Sequence, residues 1–143
     1  MIDISDVRKQ VQHTLEAARR DAASHRASRD AAQQALSGFL ATVAAPVFRQ
    51  VASVLKSEGF TFSVFTPADS VRLASDRDAG DYIEMVLDPE RDPVAFVFRR
   101  SLARGRRILQ DEQALRPGTP FAELGEQDVL DALLRLLPPF VAR

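Results

Sequence analysis

Hydrophobic positions change their period twice along this chain. From residue 3 to 37 they recur at three–four spacing: Ile4, Val7, Val11, Leu15, Ala18, Ala22, Ala32, Leu36, then Phe39. That spacing predicts an amphipathic helix, and no glycine or proline interrupts it before Gly38. Glu16 and Arg20 form an i,i+4 pair in the favourable order. The middle, RRDAASHRASRDAAQ, is different: its stripe thins to alanine and is broken at His25 and Arg29. Alanine buries little area, so this stretch either projects or packs closely on a second helix. Strict heptads are not sustained, because large residues are missing from the seam.

Residues 38–58 predict a second helix with a broad apolar face: Phe39, Leu40, Val43, Val47, Val51, Val54 and Leu55. Such a face covers a sheet. Pro46 lacks an amide hydrogen and disfavours helix at Ala45, so a kink or restart is expected there. Gly59 suits the left-handed stop.

From residue 60 the period becomes two. FTFSVFT, SVRLAS, DYIEMVLD and VAFVFRR are short runs rich in β-branched and aromatic residues. A fifth strand, RRILQDE, is expected after a turn at Leu102–Gly105. The connections Thr66–Asp69, Ser75–Gly80 and Asp88–Pro93 are too short for crossover helices, so the sheet is antiparallel. Helical spacing returns after Thr119-Pro120, with Phe121, Leu124, Val129, Leu130, Leu133, Leu134 and Leu137 apolar and Pro138-Pro139 closing it. The expected fold is α+β: two N-terminal helices, a four- to five-stranded antiparallel β-meander, and a C-terminal helical segment packed on the sheet. The expected division is an alanine-rich association arm over 1–37 and a compact domain over 38–143.

Composition narrows the classes. A chain of 143 residues with 45% hydrophobic and 27% charged residues is one ordinary globular domain. Its net charge of −1 gives no global field toward nucleic acid or anionic lipid. There is no cysteine, which excludes disulfides and thiolate metal sites. The start, MIDISDVRKQVQ, is not a secretory leader, and no window approaches 18 consecutive apolar residues. A cytoplasmic location is therefore expected. Arginine in place of lysine, with abundant alanine, fits a GC-rich bacterial coding bias.

One run changes the picture. FRRSLARGRR, residues 98–107, holds Arg99, Arg100, Arg104, Arg106 and Arg107 and no acid. Residues 60–92 carry eight acids against three arginines, a net of −5, whereas residues 93–110 are +5. In a meander these segments are neighbours. Opposite charges on adjacent strands stabilise the pairing, which places Asp81, Glu84 and Asp88 beside Arg99, Arg100 and the arginines after the turn. The competing reading is a polyanion or partner contact through the five arginines. Phe96 and Phe98 alternate onto the face of Val94, so they read as core rather than as stacking platforms.

Other constellations carry no chemistry. Along a helix His13 and His25 stand ~18 Å apart, too far to share a metal. A pairing of two chains would bring His25 to His25 and let it set register. The acids of SDRDAGDYIE fail calcium-loop spacing, because Gly80 stands where a ligand is needed. Glu84 points away from Ile83 and Met85. Serines and threonines lack a base, and GxSxG, GxGxxG and P-loop motifs are missing. No catalytic residue, cofactor or metal ligand is expected.

The open sheet face keeps an apolar component, Phe65 among it, and large exposed apolar patches are rare on monomers. Self-association by that face or by the alanine-rich helix is therefore expected. The functional expectation is a non-catalytic protein-interaction module (adaptor, chaperone-like or regulatory subunit) that forms a homodimer. One alternative is a nucleic-acid-associated protein using the arginine cluster. Another is a binder of a small apolar ligand, with its pocket between helix 38–58 and the sheet.

Overall fold

A computed structural model of the chain describes residues 1–91, 94–116 and 118–142, apart from the side chain of Phe121. Asp92 and Pro93 of the third expected turn, and the Phe121 contribution to the C-terminal face, lie outside the described residues. The architecture is α+β. A long N-terminal helical rod leads into a five-stranded antiparallel sheet, and short C-terminal helices pack back on it.

The rod is α1 (Ile4–Phe39), a π-helical turn (Leu40–Ala44) and α2 (Ala45–Ser57). Asp3 caps it, its carboxylate accepting the Ser5 amide at 3.2 Å. The break expected near Pro46 is a widened turn rather than a stop. Pro46 cannot donate to a carbonyl four residues back, and the chain takes up one extra residue just ahead of it, with the Ala45 amide donating to Leu40. Thr42 Oγ1 donates to the Gly38 carbonyl at 2.6 Å. Gly38 therefore lies within continuous helix, and Ala32 and Leu36 before it already belong to the core.

The strands are β1 (Phe62–Phe65), β2 (Ser70–Ser75), β3 (Tyr82–Asp88), β4 (Ala95–Arg104) and β5 (Arg107–Ala114), in sequential order. Leu102 and Ala103, expected in the turn, remain in β4. The β4–β5 hairpin turns on Gly105-Arg106 alone, with Arg104 opposite Arg107 and Gly105 at φ 61°. A positive φ at the first central residue is what a two-residue II′ loop needs. At the same end of the sheet, Gly80 lets the β2–β3 turn approach β4. A Cβ there would stand 3.1 Å from that of Ala103, and the Gly80 carbonyl accepts the Ser101 hydroxyl at 2.7 Å.

Among the described residues, the buried helix positions pack on one face of the sheet. Val71 and Leu73 of β2, Ile83, Met85 and Leu87 of β3, and Phe96 and Phe98 of β4 meet Leu40, Val47, Phe48, Val51 and Leu55 from the rod. Phe39 stacks on Phe96 with centroids 5.1 Å apart, and Phe48 stacks on Phe98 at 6.2 Å. One 18-residue stretch of the rod is apolar enough, by length and composition, to cross a membrane. In this fold, the helix face bearing Ala44, Val47, Phe48 and Val51 is buried on the sheet instead.

The C-terminal helix starts later than its spacing suggests. Residues Phe121–Glu123 make one 3-10 turn, and α3 (Glu126–Leu136) begins after Gly125, whose amide donates to the Asp128 carboxylate at 2.9 Å. Pro138-Pro139 do not close the chain but open a last turn, α4 (Pro138–Val141), which buries Phe140 edge-on to Phe62.

Phe98 has no exposed area, whereas Phe65 on the open face is 53% exposed. Urea denaturation should therefore separate them. Phe98→Ala is expected to cost about 3–5 kcal/mol, and Phe65→Ser to stay within about 0.5 kcal/mol of the parent.

Candidate functional site

The arginine run occupies the second half of β4 and its hairpin tip. A two-residue turn fixes the register, and that register places Arg100 opposite Asp111 and Arg99 opposite Glu112. Side chains alternate, so the two pairs lie on opposite faces of the sheet.

Arg100 lies on the helix-covered face, in the cross-strand row of Leu73 and Ile83. Its Nε and Nη2 donate to the two Asp111 oxygens at 2.9 and 2.6 Å. Its Nη1 donates to the carbonyl of Leu136, the last residue of α3, at 3.1 Å. A bidentate fork is the strong form of this interaction, and a helix C-terminus offers carbonyls with no partner of their own. Arg104 repeats the arrangement more loosely. Its Nη2 donates to the Pro139 carbonyl at 2.9 Å, and Nη1 stands 3.8 Å from Asp81. Buried Asp81 accepts the Ala103 amide at 2.7 Å.

Arg99 lies on the open face, in one straight cross-strand row: Arg72, Glu84, Arg99, Glu112. The signs alternate across four strands. Glu84 stands opposite Arg99, as the charge layout predicts, but its carboxylate takes the Nε of Arg72 at 2.7 Å. Arg99 Nε pairs with Glu112 at 3.1 Å, and Arg91 reaches the other Glu112 oxygen at 3.1 Å. Asp88 pairs with Arg91 three residues on, not with the arginine run. The Arg72 guanidinium also lies 3.9 Å from the centre of the Tyr82 ring. Most counter-charge for the run therefore comes from downstream, from β5, rather than from residues 81–88.

Arg106 and Arg107 differ. They are exposed at the hairpin tip with no carboxylate partner among the described residues. The structure thus splits the five arginines into three that are engaged internally and two that are free.

The remaining candidates resolve as follows. His25 is half-buried, and its Nε2 lies 3.1 Å from the Pro89 carbonyl, tying α1 to the β3–β4 turn. His13 is exposed. In SDRDAGDYIE, Asp76 accepts the Ser63 hydroxyl and Asp78 accepts the Gly80 amide. Among the described residues no three His, Asp or Glu side chains converge as metal ligands.

Among the described residues two apolar surfaces stand out, apart from Phe65 on β1 and the β5 pair Ile108 and Leu109. A cleft of about 360 Å³ runs between α2 and α3, lined by Val47, Val51, Val54, Leu130, Leu134 and Leu137. It differs from the expected pocket between helix 38–58 and the sheet; there a cavity of about 300 Å³ opens at the β1–β2 turn, lined by Leu40, Ala41, Ala45, Arg49, Ser70 and Val71. The second surface is the N-terminal stripe: Ile4, Val7, Val11 and Leu15 are 78%, 41%, 50% and 48% exposed. The open sheet face is less apolar than its strands suggest. The charged row crosses its middle, and Val97 beside that row has no exposed area, flanked in register by Val86 and Ala114.

No protein-family model matches the chain, and neither a curated protein nor a solved structure is significantly similar to it.

With two free arginines at the tip, binding to mixed-sequence DNA or RNA should depend weakly on salt. The slope of log K against log salt is expected to be no steeper than about −2. A slope near −5 would mean that all five guanidiniums reach phosphate and that the internal pairs open on binding.

Proposed function

We propose that this chain is a non-catalytic protein-interaction module that self-associates through its N-terminal helix. One observation carries the reading. Ile4, Val7, Val11 and Leu15 form an exposed apolar stripe on the first turns of α1. Most helical stability in proteins comes from packing an apolar face. A covering surface therefore stabilises the arm. The open sheet face contributes less, because ion pairs occupy its centre. An adaptor, a chaperone-like protein or a regulatory subunit would each use such an arm.

The α2–α3 cleft supports a second reading, a site for a small apolar ligand. Its lining is mostly aliphatic, with Gln50, Glu126 and Gln127 among the residues around it. Native mass spectrometry of the freshly purified protein tests it: a retained apolar molecule lost in Leu130→Arg supports the cleft, and a bare chain does not.

Light scattering tests the leading reading. The full chain should run as a dimer at micromolar concentration. Val11→Glu/Leu15→Glu keeps strong helix formers in the arm and should run as a monomer with unchanged helical content. A monomeric parent chain would remove the basis for self-association.

A further inference from the structure

We infer that the N-terminal arm of one copy seats in the α2–α3 cleft of a second copy, an arrangement that rests on the self-association reading and adds to it the receiving surface.

Arm and cleft match in length and in chemistry. Ile4, Val7, Val11 and Leu15 recur on one helix face at the spacing by which an amphipathic helix anchors itself in an apolar groove. From Ile4 to Leu15 is eleven residues, ~16 Å at 1.5 Å per residue, and α3 lines the cleft from Glu126 to Leu137 over the same interval. Val47, Val51 and Val54 form the facing wall. A volume of about 360 Å³ takes side chains rather than a whole helix, so the arm lies along the mouth and its apolar knobs sink in. One contact thus covers two exposed apolar surfaces, Val54 and Leu134 among them.

Charge favours this occupant. The polar lining of the cleft is Gln50, Glu126 and Gln127, with no arginine or lysine. Asp131 stands beside it and accepts the Gln127 side-chain amide at 2.7 Å. On the arm, at about 100° per residue, Arg8 and Arg19 border the stripe on one side, and Gln10 and Thr14 border it on the other, with Asp3 at the tip. Glu126, Asp131, Arg8 and Arg19 are exposed, and none has an ion-pair partner among the described residues. A helix laid stripe-down presents one border to each wall, and reversing its direction exchanges them. In one direction the arginines run along the acidic α3 wall and the neutral border runs along Gln50. Complementary charge of this kind fixes register and partner.

The arm does not reach its own cleft. The rod is helical from Ile4 to Ser57, which sets Leu15 ~48 Å from Val47 along the axis at 1.5 Å per residue. The chain's own domain covers the face of the stripe only from His25 on. The seat uses residues 4–19 and leaves that covered part untouched. Seating in both directions closes a dimer, whereas one-way seating leaves an arm and a cleft for a third copy.

Complementation between two full-chain variants tests the seat. Val11→Glu/Leu15→Glu spoils the arm and keeps the cleft. Val54→Glu/Leu134→Glu spoils the cleft at two exposed positions and keeps the arm. Each alone should run as a monomer in light scattering, with helicity by circular dichroism unchanged. Mixed in equal amounts, they should form a one-to-one pair, because one supplies the arm and the other the cleft. Dimerisation of the cleft variant by itself overturns the seat and leaves self-association standing, and so does a mixture that stays monomeric. A monomeric parent chain overturns both. Glu126→Lys/Asp131→Lys should weaken association by about threefold or more at low salt. Unchanged association would show that the α3 wall does not receive the basic border.

Discussion

The Arg100 guanidinium ties three elements together, with two donors on Asp111 of β5 and one on the end of α3. Arg100 lies on the helix-covered face, in the row of Leu73 and Ile83. A guanidinium in such a place is unfavourable unless its donors are matched. Two go to Asp111 on β5 and one to the Leu136 carbonyl at the end of α3. Edge strand β5, its neighbour β4 and the C-terminal helix thus meet at one side chain. Arg104 extends the same clasp to Pro139 and Asp81. On the other face, the row from Arg72 to Glu112 neutralises the sheet across four strands. Together these contacts turn a charge run that looks like a polyanion grip into part of the fold, leaving only its tip exposed.

Most of the architecture was legible because period and turn chemistry agree along the chain. Alternation in FTFSVFT, SVRLAS and DYIEMVLD, with connections too short for helices, leaves a meander as the simplest outcome. The core positions of Phe96 and Phe98 followed from their sharing a face with Val94. The source of the counter-charge was misread for a definable reason. Charge summed over residues 93–110 stops one residue short of Asp111 and Glu112. A wider turn at Leu102–Gly105 also leaves the register open. A two-residue loop at Gly105-Arg106 makes paired positions sum to one value, and that alone sets Arg100 opposite Asp111 and Arg99 opposite Glu112.

Other differences have local causes. Pro46 was expected to bend the rod, but helical sequences can absorb one extra residue, and here the Ala45 amide reaches Leu40. The late start of α3 follows from Asp128, which captures the Gly125 amide and outcompetes the Thr119-Pro120 signal. Close-packed aromatics occupy the middle of the space under α2 and a cavity opens at its β1–β2 edge, while another cleft lies on the outer side of α2, where Val54 and Leu134 are exposed. The anchoring of His25 has no local signal in the sequence, because its carbonyl partner at Pro89 is distant in the chain.

The internal clasp also shapes the functional reading. With the β4 arginines engaged and the open face crossed by ion pairs, the arm becomes the surface that most needs a partner. The direct measurement is a double-mutant cycle on Arg100→Gln and Asp111→Asn by urea denaturation. If Arg100 and Asp111 hold β4, β5 and α3 together, the coupling should be about 1 kcal/mol or more, and Arg100→Gln alone should destabilise the fold by more than that. Additivity within about 0.3 kcal/mol, with Arg100→Gln leaving stability unchanged, would contradict the account and return the arginine run to the role of a free surface.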